Sequence, residues 1–219
     1  MINFNTDNIV LLLYTAGSGG KFLANCLGLS NDAVLQSERF ANLQLNGHCD
    51  TLYKWNYIKT QLETATAWTD LGLGCSQLYG LHEKNYDIPN KHDLKFNGVI
   101  EKLSNSNYKF FLMSHSPDTF KKFLNIWPNA KTIIFLNPQK FLEYRFGTFN
   151  YLFNWDNLER IPKTFHYFDN DIYLNVDKTL NEIKLLYDKL NLSNYNENFI
   201  QTYYNMWIEK IVEVNENSK

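Results

Sequence analysis

The sequence predicts a single α/β domain built on a central parallel sheet with helices on both faces, a three-layer α/β/α arrangement, and three observations predict it. The segments Ile9 to Tyr14, Lys109 to Ser114 and Lys131 to Leu136 are short apolar runs of strand length without polar alternation, the pattern of strands covered on both faces. Helical patterns lie between such runs, joined by short turns, so the units read as right-handed βαβ crossovers. No internal repeat and no long, biased linker divides the 219 residues, so residues 1–219 form one domain.

Taken in order, the first strand feeds the glycine-rich turn Thr15 to Gly20, and a helix follows from Lys21 to about Leu29, with Phe22, Leu23, Cys26 and Leu27 on one side. Residues 31–70 read as mainly helical, with Leu52, Trp55, Tyr57, Ile58 and Leu62 giving an imperfect 3.6 period over Thr51 to Ala67. Gly72, Gly74, Gly80 and Pro89 punctuate residues 71–97, which read as loops or short strands, so 31–97 is expected to form a helical and loop insertion or lid after the first βα unit. A helix is expected from Phe96 to about Leu103, before the strand Lys109 to Ser114. Pro117 opens a helix through Leu124, and Pro138, after the strand Lys131 to Leu136, opens another to about Phe146, proline being suited to a first helical turn. An aromatic-rich connection from Gly147 to Asn170 leads to an expected fourth strand, Asp171 to Val176, and a helix from about Thr179 to Leu190. In the final segment, 195–219, a helix from Glu197 to about Val214 carries Phe199, Tyr203, Trp207 and Ile211 four apart, a stripe that reads as a core-facing side.

Composition excludes several classes. With 44% apolar and 16% aromatic residues the chain has material for a sizeable core and is unlike a disordered chain. A formal net charge of −2 argues against a protein whose main task is coating nucleic acid, and Lys121, Lys122 and Lys140 read as solvated helix faces. No apolar run approaches the ~18 residues that cross a bilayer, and no basic leader precedes a small-residue cleavage site. Cys26, Cys49 and Cys75 are unclustered, which fits a reducing compartment, so the expectation is a soluble cytoplasmic protein without membrane or nucleic-acid partners. His48 with Cys49 and Cys75 with His82 lack the spacing of a zinc site, and no metal is expected. The 29 asparagines and the 18 lysines against 3 arginines read as the mark of an AT-rich coding sequence. That scarcity leaves Arg39, Arg145 and Arg160 as the candidates for bidentate recognition of a phosphate.

Function is most legible from Thr15 to Phe22. A strand, a glycine-rich turn and a helix bring backbone N–H groups together at a helix N-terminus, where the dipole favours an anion. Gly17, Gly19 and Gly20 let the backbone close around it, Ser18 offers a hydroxyl, and Lys21 sets an ammonium within reach of outer oxygens. The alternative is that these glycines only make a tight connection. Against the nucleotide-hydrolase P-loop, G-x-x-x-x-G-K-[ST], Gly20-Lys21 matches, but Thr15 replaces the leading glycine and Phe22 the magnesium-binding hydroxyl. An anion cradle lacking that ligand suits a donor that does not need the metal.

Gly17-Ser-Gly-Gly-Lys-Phe-Leu23 resembles the turn P-K-[ST]-G-T-T-W-L of the sulfotransferase family, with Ser18 and Gly19 on its Ser-Gly and Phe22 on its tryptophan. Met113-Ser-His-Ser-Pro117 is similar to the family's K-T-H-L-P strand end, and Leu136-Asn-Pro-Gln-Lys-Phe-Leu-Glu-Tyr144 to its R-N-P-x-D-x-x-x-S segment. The segment Ile172 to Leu192 looks like the family's late strand and helix, so the order agrees over most of residues 8–192. The resemblance implies a P-loop NTPase-like fold, 3′-phosphoadenosine 5′-phosphosulfate as donor, and a small-molecule or saccharide acceptor. It implies donor contacts from Thr15, Ala16, Gly17, Ser18, Gly19, Gly20, Lys21 and Phe22, and from Asn137, Tyr144 and Arg145 near the 3′-phosphate. It implies catalysis by Lys21 and by His115, whose imidazole, ordinarily titrating near pH ~6.5, suits a general base. The departures are specific: Gly17 and Met113 stand where the family has lysines, Leu136 where it has the 3′-phosphate arginine, and Tyr144 where it has serine. Two other readings stay open, a P-loop kinase or hydrolase with a degenerate loop and a non-catalytic scaffold that keeps the fold. Neither the acceptor nor the oligomeric state is encoded in a readable motif.

Overall fold

The computed structural model describes residues 8–14, 18–34, 50–65, 109–114, 120, 124–125, 127–136 and 165–217. Strand β1 (Ile9–Leu13) leads to helix α1 (Gly20–Gly28) and the short strand β2 (Ala33–Val34); helix α2 (Thr51–Glu63) and strands β3 (Lys109–Ser114), β4 (Lys131–Leu136) and β5 (His166–Asp169) follow. A 3-10 turn (Asn170–Leu174) then leads into helices α3 (Val176–Leu190) and α4 (Glu197–Asn217). The strands form one sheet in the order β2-β3-β1-β4-β5, every pair parallel.

All five residues of β1 are buried, as an unbroken apolar run in the middle of a parallel sheet requires. Val10 and Leu12 join Phe111, Ile133, Phe135 and Phe168 in one core with α1, α3 and α4. Ile9, Leu11 and Leu13 alternate to the opposite face and are as deeply buried. The α/β expectation therefore holds as a parallel sheet with helices packed on one face. The helix expected from Pro117 is described only at Phe120 and 124–125, which are helical, and the one expected from Pro138 lies outside the described residues. The same is true of the helix expected at Phe96 to Leu103 and of most of the 31–97 insertion.

Three local expectations are corrected. The fourth strand is not Asp171 to Val176 but β5, which begins five residues earlier, inside the stretch read as a connection. His166 and Phe168 of β5 point inward while Tyr167 and Asp169 face out, the alternation of a strand with one covered face. The apolar look of Ile172, Tyr173 and Leu174 belongs instead to a 3-10 turn bounded by two caps: Asp169 accepts from the Asp171 N–H, and Asn175 accepts from the Lys178 N–H to start α3 at Val176. Residues 33–34, expected within a mainly helical region, form the edge strand β2 against β3. Helix α2 stops at Glu63 and not at Ala67, with the Thr64 hydroxyl and amide both returned to the Thr60 carbonyl. The stripe on the last helix faces the core as expected: Tyr203, Trp207 and Ile211 are buried, and Phe199 stacks on Trp55 of α2 at 5.0 Å.

Candidate functional site

The chain reverses its direction of travel across the sheet at β1: α1 leads to the β2 edge, and the later strands then step through β3 past β1 to β4 and β5. In open parallel sheets ligands bind beside the strand C-termini at such a reversal. Leu13, the last residue of β1, is in register with Ser114 on one side and with Ile134 on the other, so three strand ends stand together where the glycine-rich turn begins. Of the residues singled out from sequence, Ser18, Gly19, Gly20, Lys21 and Phe22 are described. Thr15, Ala16, Gly17, His115, Asn137, Tyr144 and Arg145 lie outside the described residues, although β3 ends at the residue before His115 and β4 at the residue before Asn137.

Gly19 is the N-cap of α1 and has φ of 83°, a left-handed conformation that glycine adopts at no steric cost. Its carbonyl accepts two hydrogen bonds, from the Leu23 N–H at 3.1 Å and from the Tyr173 hydroxyl at 3.1 Å. A methyl group on Gly19 would lie 2.7 Å from Tyr173 Cε2 and 3.0 Å from Trp207, and one on Gly20 would lie 2.5 Å from the Tyr14 ring. Aromatic side chains therefore close directly over the backbone of both glycines. Phe22 is fully buried, stacked on Trp207 at 4.2 Å and on Tyr203 at 4.9 Å, with Tyr173 edge-on at 5.4 Å. A ring held in this way belongs to the core, and a ligand at the turn would meet Phe22 only through its backbone. Ser18 is also fully buried.

Lys21 stands apart. Every other residue of α1 is buried, and Lys21 alone is half-exposed. It occupies the first turn, at the positive end of the helix dipole, where a cation is disfavoured and a carboxylate favoured. The first turn contains no acidic residue, and among the described residues no side-chain hydrogen bond caps the helix at Gly19. The dipole and the Lys21 ammonium thus share a sign at the start of α1, beside the strand ends of the sheet.

Behind this surface, α1 is held by tyrosines. Besides the Tyr173 bond to Gly19, Tyr187 donates to the Cys26 carbonyl at 2.8 Å, and the Asn25 amide donates to the Tyr203 oxygen at 3.0 Å. Burial pushes the Tyr173, Tyr187 and Tyr203 hydroxyls well above the ordinary phenol range, with Cys26 adding to each, and pushes Tyr195 up to about 12. The Cys26 thiol is likewise raised by burial. Since the folded-state values exceed those of free phenols, the stability these groups contribute is full below pH ~10 and is lost as pH rises through them. We expect alkaline titration to release the phenolate absorbance of these four tyrosines together with the loss of far-UV helix signal; ionisation of all 14 tyrosines while the helix signal persists would contradict this packing.

Two ionisable features escaped the sequence reading. Lys54 of α2 is fully buried, its ammonium donating to the Ser30 and Ala33 carbonyls beyond the C-terminal end of α1. At the β5 edge, the Nε2 of His166 meets Glu182 Oε1, and the Lys189 ammonium lies 3.0 Å from its Nδ1. A lysine between Tyr53 and Trp55 of α2 and a histidine between Phe165 and Tyr167 carry no local signal of either role. Of the aromatics in the stretch Gly147 to Asn170, Phe168 is in the core, stacked on Phe135 at 4.8 Å, Phe165 is half-buried, and Tyr167 is exposed.

Among the described residues no group of histidine, cysteine and carboxylate side chains is placed to hold a metal ion, and no helix is long and apolar enough to cross a membrane. The parallel sheet and the glycine-capped start of α1 define an α/β protein with a candidate anion site. Comparison of the chain with protein-family models, with curated proteins and with solved structures gives no match.

Proposed function

We propose that residues 15–22 bind the phosphosulfate end of 3′-phosphoadenosine 5′-phosphosulfate on a P-loop NTPase-like sheet, and that the chain transfers the sulfuryl group to a hydroxyl or amine of a small-molecule or saccharide acceptor. The carrying observation is Lys21, the one partly exposed residue of a buried helix, set at the dipole's positive end without an acidic neighbour in the first turn. A choice that opposes helix stability is the kind of local exception that functional sites make. In this reading the acceptor oxygen or nitrogen attacks sulfur in line, its proton passes to His115, and the bond from sulfur to the bridging phosphate oxygen breaks to release adenosine 3′,5′-bisphosphate. Lys21 and the amides at the start of α1 offset the charge that develops on the sulfuryl and phosphate oxygens, where a single lost donor commonly costs ~10²–10³ in rate. Asn137, Tyr144 and Arg145 are assigned to the 3′-phosphate. The buried ring of Phe22 fits a donor held by backbone there and offers it no stacking surface.

Thermal-shift titration tests the reading. At a hundred times its dissociation constant a ligand stabilises by about 2.7 kcal/mol, so adenosine 3′,5′-bisphosphate without magnesium is expected to raise Tm by roughly 5–10 °C, and Lys21→Ala to weaken the affinity about ten-fold. A shift with magnesium ATP alone assigns the turn to phosphoryl chemistry and removes the sulfuryl reading. A second reading, a scaffold that keeps the fold without the chemistry, is favoured by the packing of Tyr14, Tyr173 and Trp207 over Gly19 and Gly20, which accounts for these two glycines without a ligand. No response to either nucleotide would select it.

A further inference from the structure

The glycine-rich turn is gripped from behind by a residue far away in sequence, and the geometry points to Tyr173 as the positioning residue that sets the direction of the backbone at the start of α1. Its hydroxyl donates to the Gly19 carbonyl, its ring packs where a Cβ on Gly19 would lie, and Gly19 holds φ of 83° beneath it. A peptide whose carbonyl is drawn inward presents the N–H on its other side outward, so the bond fixes the Gly19–Gly20 peptide and, through it, the amides that open α1. Tyr173 is itself held in place: its carbonyl accepts from the Tyr204 hydroxyl of α4 at 2.7 Å, and the preceding carbonyl, of Ile172, accepts from the Thr179 hydroxyl of α3 at 2.8 Å. A chain of contacts therefore runs from α4 and α3 through the 3-10 turn to Gly19. Burial keeps the Tyr173 hydroxyl protonated, so the bond persists across ordinary pH.

A control acts on the backbone of the same helix from α3. Tyr187 makes an equivalent bond, hydroxyl to the Cys26 carbonyl, towards the other end of α1. Tyr173→Phe and Tyr187→Phe each delete one buried hydroxyl donor, to the N-cap carbonyl of Gly19 and to the Cys26 carbonyl of α1, and keep the ring, so their losses of Tm are expected to be similar. Only Tyr173→Phe is expected to shift the Gly19 carbonyl and Gly20 amide resonances by NMR and to weaken adenosine 3′,5′-bisphosphate binding, by roughly five-fold or more. The binding arm rests on the anion reading proposed above; the NMR arm does not. If wild-type protein fails to bind the bisphosphate, the anion reading falls and the positioning role is judged on the resonances alone. Unchanged Gly19 and Gly20 resonances in Tyr173→Phe, or equal weakening of binding by both variants, would overturn the role of Tyr173.

Discussion

Gly19→Ala is expected to destabilise the protein by about 2–5 kcal/mol, lowering Tm by roughly 5–15 °C, and to do so through two separable effects. A left-handed φ costs an L-residue about 1–2 kcal/mol, and Gly19 sits at 83°. The new methyl must also find room against Tyr173 at 2.7 Å and Trp207 at 3.0 Å, and overpacking of this kind typically costs about 1–3 kcal/mol. Neither ring can yield cheaply, because Tyr173 is tied to Gly19 and Tyr204 by hydrogen bonds, while Trp207 stacks on Phe22 and meets Tyr173 edge-on at 5.3 Å. The two effects separate in a double variant. Gly19→Ala with Trp207→Phe relieves part of the crowding and leaves the backbone cost, so the increment from Gly19→Ala should shrink in that background. Denaturant titration of the four proteins gives the coupling, and a single variant as stable as wild type would mean that Gly19 does not hold this conformation.

The elements that sequence reading found and the ones it missed differ in how far apart their causes lie. β1 and β4 are apolar runs whose burial on both faces is written into consecutive residues, β3 shows the same apolar run in sequence, and the stripe Tyr203, Trp207, Ile211 repeats at helical spacing. β5 was hidden because Tyr167 and Phe168 put aromatic rings on both faces of a four-residue strand, so alternation does not stand out. The 3-10 turn was mistaken for a strand because Ile172, Tyr173 and Leu174 look like one, while the caps that decide otherwise, Asp169 and Asn175, lie just outside. At the candidate site, the glycine-rich turn and Lys21 were legible as a local motif. The closure of Tyr173 and Trp207 over Gly19 was not, since the contacting residues are separated by more than half the chain. The same closure put Phe22, aligned by resemblance with a donor-facing tryptophan, into an aromatic stack instead.

Lys54 makes the opposite wager to Lys21, and its replacement carries the second large effect. Lys21 opposes the dipole of α1 at its start; Lys54 favours it at its end, where the ammonium meets the Ser30 and Ala33 carbonyls. Removing the charge relieves a desolvation penalty of several kcal/mol, and a buried ion can for that reason be worth less than an apolar substitute. Here the balance is expected to fall the other way. Hydrogen bonds from a charged donor contribute about 1.5–3 kcal/mol each net of that penalty, and two are lost. The loss is softened at Ser30, whose carbonyl also accepts from the Ala33 N–H at 3.2 Å. Lys54→Met, which keeps most of the stem, is therefore expected to cost about 2–4 kcal/mol, and Lys54→Ala about 2 kcal/mol more for the three methylenes it also removes, at ~0.8 kcal/mol each. The α1–β2 junction should loosen first, because the Ser30 and Ala33 carbonyls belong to the turn that hands α1 over to the sheet edge, and amide exchange at Ala33 and at Lys109, which donates to Asp32 at 2.6 Å, reads it directly. A methionine variant equal to or more stable than wild type would show that the ammonium's desolvation outweighs its bonds, and that Lys54 is kept for something other than holding this junction together.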